Sequence, residues 1–527
     1  MRALINSLIM FLLLPTEKPV GAQVTASSLT EVQRGRVPGA DSLAVSSLYE
    51  QLDVDYTRHG LQAGLRAEVF NAWRNTAPGS PLSQVEYQVV HISQKHLRWT
   101  QGPVELVAGN YYAILGRGIT LRAFDLPGVI LESGQYRRRY SPSRDLEGGM
   151  ATWAGPRAEA KALIGRPVLS DIPPAVRVGS PLQDLPRRDN WLVGGEVSLR
   201  PVSQVKVGVT AVSHHASRLD STRTWSGYLE LDVTPAIEAS GLQDGYATVY
   251  AEYAGLNDVH VDGGALYLSA NAGISNLGLS LEYKDYENFA FSFNDPPSLV
   301  REHAAVLLNR STHALIADAE TGYQLEATYS VFGRGTLTAN ISKGENKLAP
   351  GFSTTFNERY LGVDVELPPL GDGHSVTSTV FFDWGKDELK GIGKHRIGGV
   401  GAESNTPGGS VLGFDLQVRR AARHPRNEPV FWDVFTQFSY QHRSGVGAAL
   451  VLDRTSDPFE VDDVKTPDRV ETGTRSWLAV NLNVAFLERY EALVFAGRRR
   501  GGAACTSGTC YQVLPFNGLE MRLKTYF

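Results

Sequence analysis

Apolar and polar residues alternate along most of this chain with a period of two, and the pattern is cleanest at its end. From Gly518 to Phe527 the sequence runs Gly-Leu-Glu-Met-Arg-Leu-Lys-Thr-Tyr-Phe. Leu519, Met521, Leu523, Thr525 and Phe527 fall on one face, and Glu520, Arg522, Lys524 and Tyr526 on the other. Successive side chains of a β-strand point to opposite faces, so this period predicts a strand. Roughly ten residues let a tilted strand cross a hydrocarbon core of about 30 Å. One apolar face and one charged face let it meet lipid and a watery lumen at once. Phe527, an aromatic residue carrying the terminal carboxylate, resembles the insertion signal of bacterial outer-membrane barrels. The edge strand of a soluble sandwich is the alternative.

The same alternation recurs in Leu61 to Phe70, Ser203 to Val212, Leu277 to Lys284, Thr321 to Ser330 and Leu361 to Leu367. It returns in Ser375 to Trp384, Leu412 to Arg419, Phe431 to Tyr440 and Leu478 to Phe486. No helical heptad, solenoid repeat or second domain boundary interrupts it. Connection lengths give an independent test. If Phe527 ends in the periplasm, connections must alternate sides back along the chain. One set then holds short turns, such as Leu487 to Tyr490, Arg443 to Gly445 and Gly273 to Ser275. The other holds long loops, such as Asp453 to Thr474, Asp285 to Glu320 and Pro167 to Asn190. Ala236 to Gly245 is a long exception on the short side. A sandwich has no reason to sort its loops in this way, whereas a membrane barrel does. The expected fold is all-β: a single large closed antiparallel transmembrane barrel over residues 42–527, with about 20 to 24 strands. The stretch from Arg98 to Met150 is the hardest to divide into strands.

The start of the chain agrees. Met1-Arg2 supplies a positive n-region, Leu4 to Leu14 is apolar apart from Asn6 and Ser7, and Val20-Gly21-Ala22 offers a small-residue cleavage site. Residues 1–22 therefore read as a secretory signal peptide, too short to span a membrane as a helix. Residues 23–41 are polar and irregular and predict a flexible periplasmic lead-in. No plug domain of the size found in energy-coupled receptors precedes the first expected strand, which argues against active uptake of that type.

Composition changes the picture little. A hydrophobic content of 42% looks soluble, as expected where half of each strand faces water. The net charge of -5 gives no reason to expect nucleic-acid binding. Cys505 and Cys510 stand alone, separated by Thr-Ser-Gly-Thr. In an exported chain this spacing predicts a disulfide across one loop. A metal would require more ligands, and no His lies nearby.

The longest loop, Asp285 to Glu320, holds the candidate chemistry. Pro296-Pro297 stops a helix upstream, Ser298 offers a cap, and Glu302 lies in the first turn. Leu299, Val306, Leu307 and Leu308 would be buried and Arg301, His303 and Arg310 displayed. Such a loop folds inward and narrows a lumen, with Arg301, Glu302, His303, Asn309, Arg310 and His313 as the constriction. Alternatively it is a lid that seals the barrel, its polar residues satisfying one another. Gly116-Arg117-Gly118 lacks the phosphate-loop spacing and predicts a tight turn with a lumen-facing Arg. Arg137-Arg138-Arg139 and Arg498-Arg499-Arg500 suit lipopolysaccharide phosphates or an anionic solute, or else form a solvated rim or pair with acidic lumen residues. The acidic stretch Asp453 to Glu471 has no EF-hand spacing. Asp258-Val259-His260 and His214-His215 are weak catalytic patterns, and no Gly-x-Ser-x-Gly elbow is present. The expectation is a non-enzyme without cofactor or metal.

Several longer stretches resemble a known family. They are Gly109-Asn110-Tyr111-Tyr112 with Gly116-Arg117-Gly118-Ile119-Thr120-Leu121-Arg122, and Pro296 to His303. Leu307-Leu308-Asn309-Arg310 through Gly322-Tyr323-Gln324, and Cys505 to Cys510 with Pro515-Phe516-Asn517-Gly518, belong with them. In these the chain resembles long outer-membrane barrel proteins classed as a domain of unknown function, common in Bacteroidetes-like Gram-negative bacteria. The resemblance implies an outer-membrane location and a large barrel, and no activity. Partners expected of such a protein are outer-membrane lipid and lipopolysaccharide, the barrel assembly machinery during biogenesis, and an envelope protein. Two functions remain open. One is a porin-like passage for small hydrophilic solutes, its lumen lined by Gln204, Lys206, Gln324, Glu326, Asp364, Glu366, Asp415, Gln417 and Arg419. The other is a sealed barrel serving a secretion, surface-polysaccharide or envelope assembly complex.

Overall fold

A computed structural model describes residues 22–37, 43–73, 86–124, 130–132, 137–139, 145–167, 191–215, 221–241, 244–258, 262–289, 294, 296–297, 304–311, 319–331, 333–349, 352–367, 375–461, 473–506 and 509–527. Its main sheet has 24 antiparallel strands, each paired with the next along the chain, and the first pairs with the last. Ala22–Val37 lies between Leu43–Arg58 and Phe516–Tyr526, with Val32 opposite Met521 and Gly35 opposite Gly518. The sheet is closed.

The two faces follow the alternation. On Glu320–Val331, Tyr323, Leu325 and Tyr329 are exposed on the outer face, with an aromatic ring near each end, as at the two interfaces of a bilayer. On Phe516–Tyr526 the outer positions are Leu519, Met521 and Leu523. A closed, even-stranded barrel with an apolar belt satisfies every backbone group without an edge. It is an outer-membrane barrel, and the protein resides there. No helix among the described residues is long and apolar enough to cross a membrane.

Connections sort by end. At one end they are tight: His59 (φ 45°) and Gly60 (φ 81°) form the turn before Leu61–Trp73, a pair of positive φ angles that matches the strand twist. At the same end the short helix Thr234–Ala239 occupies the long exception noted in the sequence. At the other end lie the long loops.

One expectation is corrected. Of the expected lead-in 23–41, residues 23–37 belong to a full barrel strand, Ala22–Val37, and 38–41 lie outside the described residues. Its pattern was masked by chemistry: Ser28 and Thr30 take lipid-side positions that are usually aliphatic, and Leu29 faces inward against Tyr49 and Phe70. Of the expected leader, residues 1–21 lie outside the described residues.

Among the described residues, two elements fold into the lumen. The first follows Val104–Tyr111, where the chain leaves the wall as a hairpin, Ala113–Leu115 with Leu121–Ala123, before rejoining it at Leu146–Ala154. Leu115 and Leu121 are buried against Leu163, Leu192 and Val212 of the wall, and Ile119 packs among Tyr228, Tyr250 and Tyr267. The second is the helix Val306–Ser311, whose Leu307 and Leu308 are buried on Phe381, Ile397 and Phe435. Burial on this scale stabilises each leucine by about 2 kcal/mol.

Candidate functional site

The hairpin turn is held by carboxylates of the wall. Backbone N–H groups of Gly116 and Arg117 donate to Glu196 Oε2 (3.4 Å) and Glu252 Oε2 (3.2 Å). Glu252, 1% exposed, also accepts from Ser226 Oγ (2.6 Å) and Tyr250 OH (2.6 Å). The Tyr228 hydroxyl donates to Glu196. Thr120 joins the wall through Thr210 (2.8 Å). Gly116 has φ +55°, and a Cβ there would lie 2.9 Å from both Glu252 oxygens. Close approach therefore requires glycine at this position. The Arg117 guanidinium sits over the Tyr250 ring, 4.8 Å from its centroid.

Of the remaining residues singled out in this motif, Gly109 has φ +95°. Asn110 donates to Asp145 Oδ2 at 2.5 Å and Tyr111 OH to the Ile164 carbonyl at 2.9 Å. These residues anchor the point where the chain turns inward.

Asn294 joins the hairpin to the long loop. Its Oδ1 accepts from the Arg122 backbone N–H (2.6 Å), and its Nδ2 donates to the Ile119 carbonyl (2.6 Å). Nearby, Lys284 Nζ donates to the Pro297 carbonyl (2.9 Å) and pairs with Glu320 (3.2 Å) in a fully buried contact. The hairpin is thus joined to the start of the long loop across more than a hundred residues of sequence. Sequence reasoning missed Asn294, because nothing local marks an amide that matches two backbone groups of a distant turn.

The helix Val306–Ser311 is fixed at its other end. Gln417 Oε1 accepts from the Leu307 backbone N–H (2.9 Å), Lys390 Nζ donates to the Arg310 carbonyl (3.3 Å), and Arg310 Nη2 pairs with Asp453 Oδ2 (2.6 Å). Arg310 is therefore bound to the wall rather than displayed, which corrects the sequence expectation. Asn309 N–H donates to the Ala305 carbonyl at 2.9 Å. Arg301, Glu302, His303 and His313 lie outside the described residues, as do Ser298 and Leu299.

Above the helix, buried charges close the rim. Arg500 Nη1 lies 3.0 Å from Asp433 and 3.3 Å from Asp453, and its Nη2 lies 2.6 Å from Glu460. Arg419 pairs with Asp433 (2.6 Å) and Arg423 with Asp457. Burial alone would lower the Arg500 pKa; hydrogen bonds to Glu460 and the charges of Asp433 and Asp453 outweigh it and raise it. Within the Arg498 to Arg500 run, Arg500 is buried among acidic partners, Arg499 pairs with Glu520 (3.3 Å) and Arg498 is exposed. The backbone of Arg137–Arg139 pairs with Ile130–Glu132.

Below the helix, on the short-turn side, is a cavity of about 640 Å³ lined by the helix segment and by inward residues of neighbouring strands. Asp364 and Glu366 of Phe352–Leu367 and Glu403 of Ile392–Asn405 face inward and are exposed. Asp258 Oδ2 accepts from Thr222 Oγ1 (2.5 Å), and its proposed mate His260 lies outside the described residues. His215 Nε2 meets Ser213 Oγ at 3.2 Å. Cys505 and Cys510 are opposite each other in the hairpin Gly502–Thr506 with Thr509–Val513. The Phe527 backbone N–H donates to the Ala26 carbonyl at 2.8 Å, adding a rung to the closing seam.

No family model matches the sequence, and no curated protein matches it. Among solved structures the chain is similar to the siderophore receptor PirA from Pseudomonas aeruginosa, with TM-score 0.44 and 12% identity over 97% of this chain and 81% of that one. It is similar to OccAB4 from Acinetobacter baumannii, with TM-score 0.37 and 14% identity over 70% of this chain and 95% of that one. It is also similar to the outer membrane protein OpdK from Pseudomonas aeruginosa, with TM-score 0.39 and 11% identity over 69% and 94%.

Proposed function

We propose that this barrel is a passage for small hydrophilic solutes, narrowed from within by the Ala113–Ala123 hairpin and the Val306–Ser311 helix. The supporting observation is that Asp364, Glu366 and Glu403 point into the lumen and are nonetheless exposed, so the interior below the helix is wet. A barrel of 24 strands is wider than the 16 to 18 strands that suffice for an aqueous channel. The described parts of the two inward elements lie against the wall, at Leu163, Leu192 and Val212 for the hairpin and at Phe381, Ile397 and Phe435 for the helix. The short turns would face the periplasm and the long loops the outside.

A sealed barrel is the second reading, favoured by the Asn294 contacts, which tie the long loop to the hairpin. Single-channel conductance in a planar bilayer separates them, comparing wild type with a chain lacking residues 296–313. Steady conductance of the wild type, with altered selectivity on deletion, supports the passage. Conductance only after deletion supports a closed barrel. Silence from both removes the passage.

A further inference from the structure

The cavity beneath the helix is amphipathic. Leu308 from the helix, with Phe381 and Tyr360 from the wall, bounds it on one side, and the two rings stack 6.1 Å apart. Asp364, Glu403 and Asp415 bound it elsewhere, among Thr377, Thr379 and Gln437. Among the described residues no Lys, Arg or His lines it. Asp364 accepts from Thr379 Oγ1 (2.6 Å) and Asp415 from Gln417 Nε2 (2.7 Å), which are uncharged donors. Several other inward carboxylates are paired with cations: Glu159 with Lys206, Glu320 with Lys284, Asp433 with Arg419 and Arg500, and Glu31 with Arg522. The carboxylates among the described lining residues give the cavity a negative field beside an apolar surface.

We infer that this cavity binds a small organic cation, its ammonium or guanidinium toward Asp364, Glu403 and Asp415 and its apolar part against Leu308, Phe381 and Tyr360. Uncompensated carboxylates in a concave wall concentrate cations, and the aromatic faces add attraction for the same charge. A volume of about 640 Å³ lies in the range of small-molecule sites. The inference deepens the passage proposed above and rests on it for its meaning, because a site in the lumen selects what crosses.

The test uses three probes with one apolar tail and different charge: n-butylammonium, n-butanol and butyrate. Binding to the full chain in detergent micelles is read by saturation-transfer NMR, for wild type and for the D364N/E403Q/D415N triple variant. Circular dichroism and unboiled gel mobility confirm the barrel. Glu403→Lys, at an exposed position, serves as a second variant should the triple one not fold. The expected result is saturable binding of n-butylammonium alone, weakened at least ~10-fold in either variant. Equal responses to the three probes, or undiminished n-butylammonium binding to a folded variant, overturns the site. Potassium chloride conductance is measured separately. A conducting barrel without n-butylammonium binding removes the site and keeps the passage; a binding but silent barrel removes the passage and keeps the site.

Discussion

At the scale of residues, the energetics concentrate where charges leave water. Arg500 is 7% exposed and faces Asp433, Asp453 and Glu460. Removing one member of a buried network strands its partners, at a cost of about 3–5 kcal/mol. Arg500→Leu is therefore expected to lower the free energy of urea unfolding by that amount, read from tryptophan fluorescence. A loss below about 1 kcal/mol would mean that water reaches these carboxylates. Asn346 presents the opposite case. It is fully buried between Glu320 and Thr354 on neighbouring strands, and neither of its amide atoms has a hydrogen-bond partner among the described residues. An unsatisfied buried amide costs about 1–3 kcal/mol, so Asn346→Leu should leave stability unchanged or raise it by roughly 1 kcal/mol in the same assay. A clear loss would show that the amide is satisfied in solution. Neither behaviour was legible in the sequence. Arg498-Arg499-Arg500 reads as three alike cations, and only the fold separates an exposed one from a buried one.

At the scale of elements, periodicity carried the strands and failed where lipid-facing or inward positions break the rule. Leu519, Met521 and Leu523 announce their strand, whereas Ser28 and Thr30 on the outer face hid Ala22–Val37. The long loop was read as partly helical from Ser298, which lies outside the described residues; the described helix is Val306–Ser311, and its placement came from contacts with Phe381 and Phe435 that no local pattern encodes. The hairpin Ala113–Leu115 with Leu121–Ala123 was readable only as a glycine-rich turn. Its inward fold depends on Glu196 and Glu252, far away in sequence. Two substitutions probe the helix and test whether it is coupled to the hairpin. Leu307→Asp places a carboxylate in an apolar contact, a transfer costing several kcal/mol, against a docking contribution of about 2 kcal/mol per leucine. The helix should leave the wall, and single-channel conductance should rise while the unfolding midpoint of the barrel moves little. Asn294→Ala leaves the Ile119 carbonyl and Arg122 N–H without that amide. Its effect should be non-additive with Leu307→Asp in a double-mutant cycle of conductance. Strict additivity would show that the two inward elements move independently.

At the scale of the molecule, the sorted connections were the most informative signal, because alternation of short turns and long loops is a property of the closed sheet rather than of any residue. An even strand count follows once both chain ends of the sheet lie on the same side of the membrane. What the sequence concealed was the partner of the final strand. With residues 23–41 taken as irregular, Phe516–Tyr526 would have closed on a different neighbour, and the register of the whole ring would shift. The seam is open to a direct test. Val32 and Met521 are opposite each other, both on the lipid side. Opposed antiparallel residues have Cα atoms about 4.5–5.5 Å apart, within the roughly 4.4–6.8 Å that a disulfide spans. In a background lacking Cys505 and Cys510, V32C/M521C should therefore cross-link on mild oxidation. V32C/L523C, offset by two residues to a diagonal distance of about 7–8 Å, should cross-link poorly. The ring-closed product is read by its altered mobility on boiled, non-reducing gels and its return to normal on reduction. Preference for the offset pair would move the register by one pleat. Failure of both pairs in folded protein would mean that the first and last strands do not meet, and the lumen would then be bounded by a different set of walls from those that hold the hairpin and the helix.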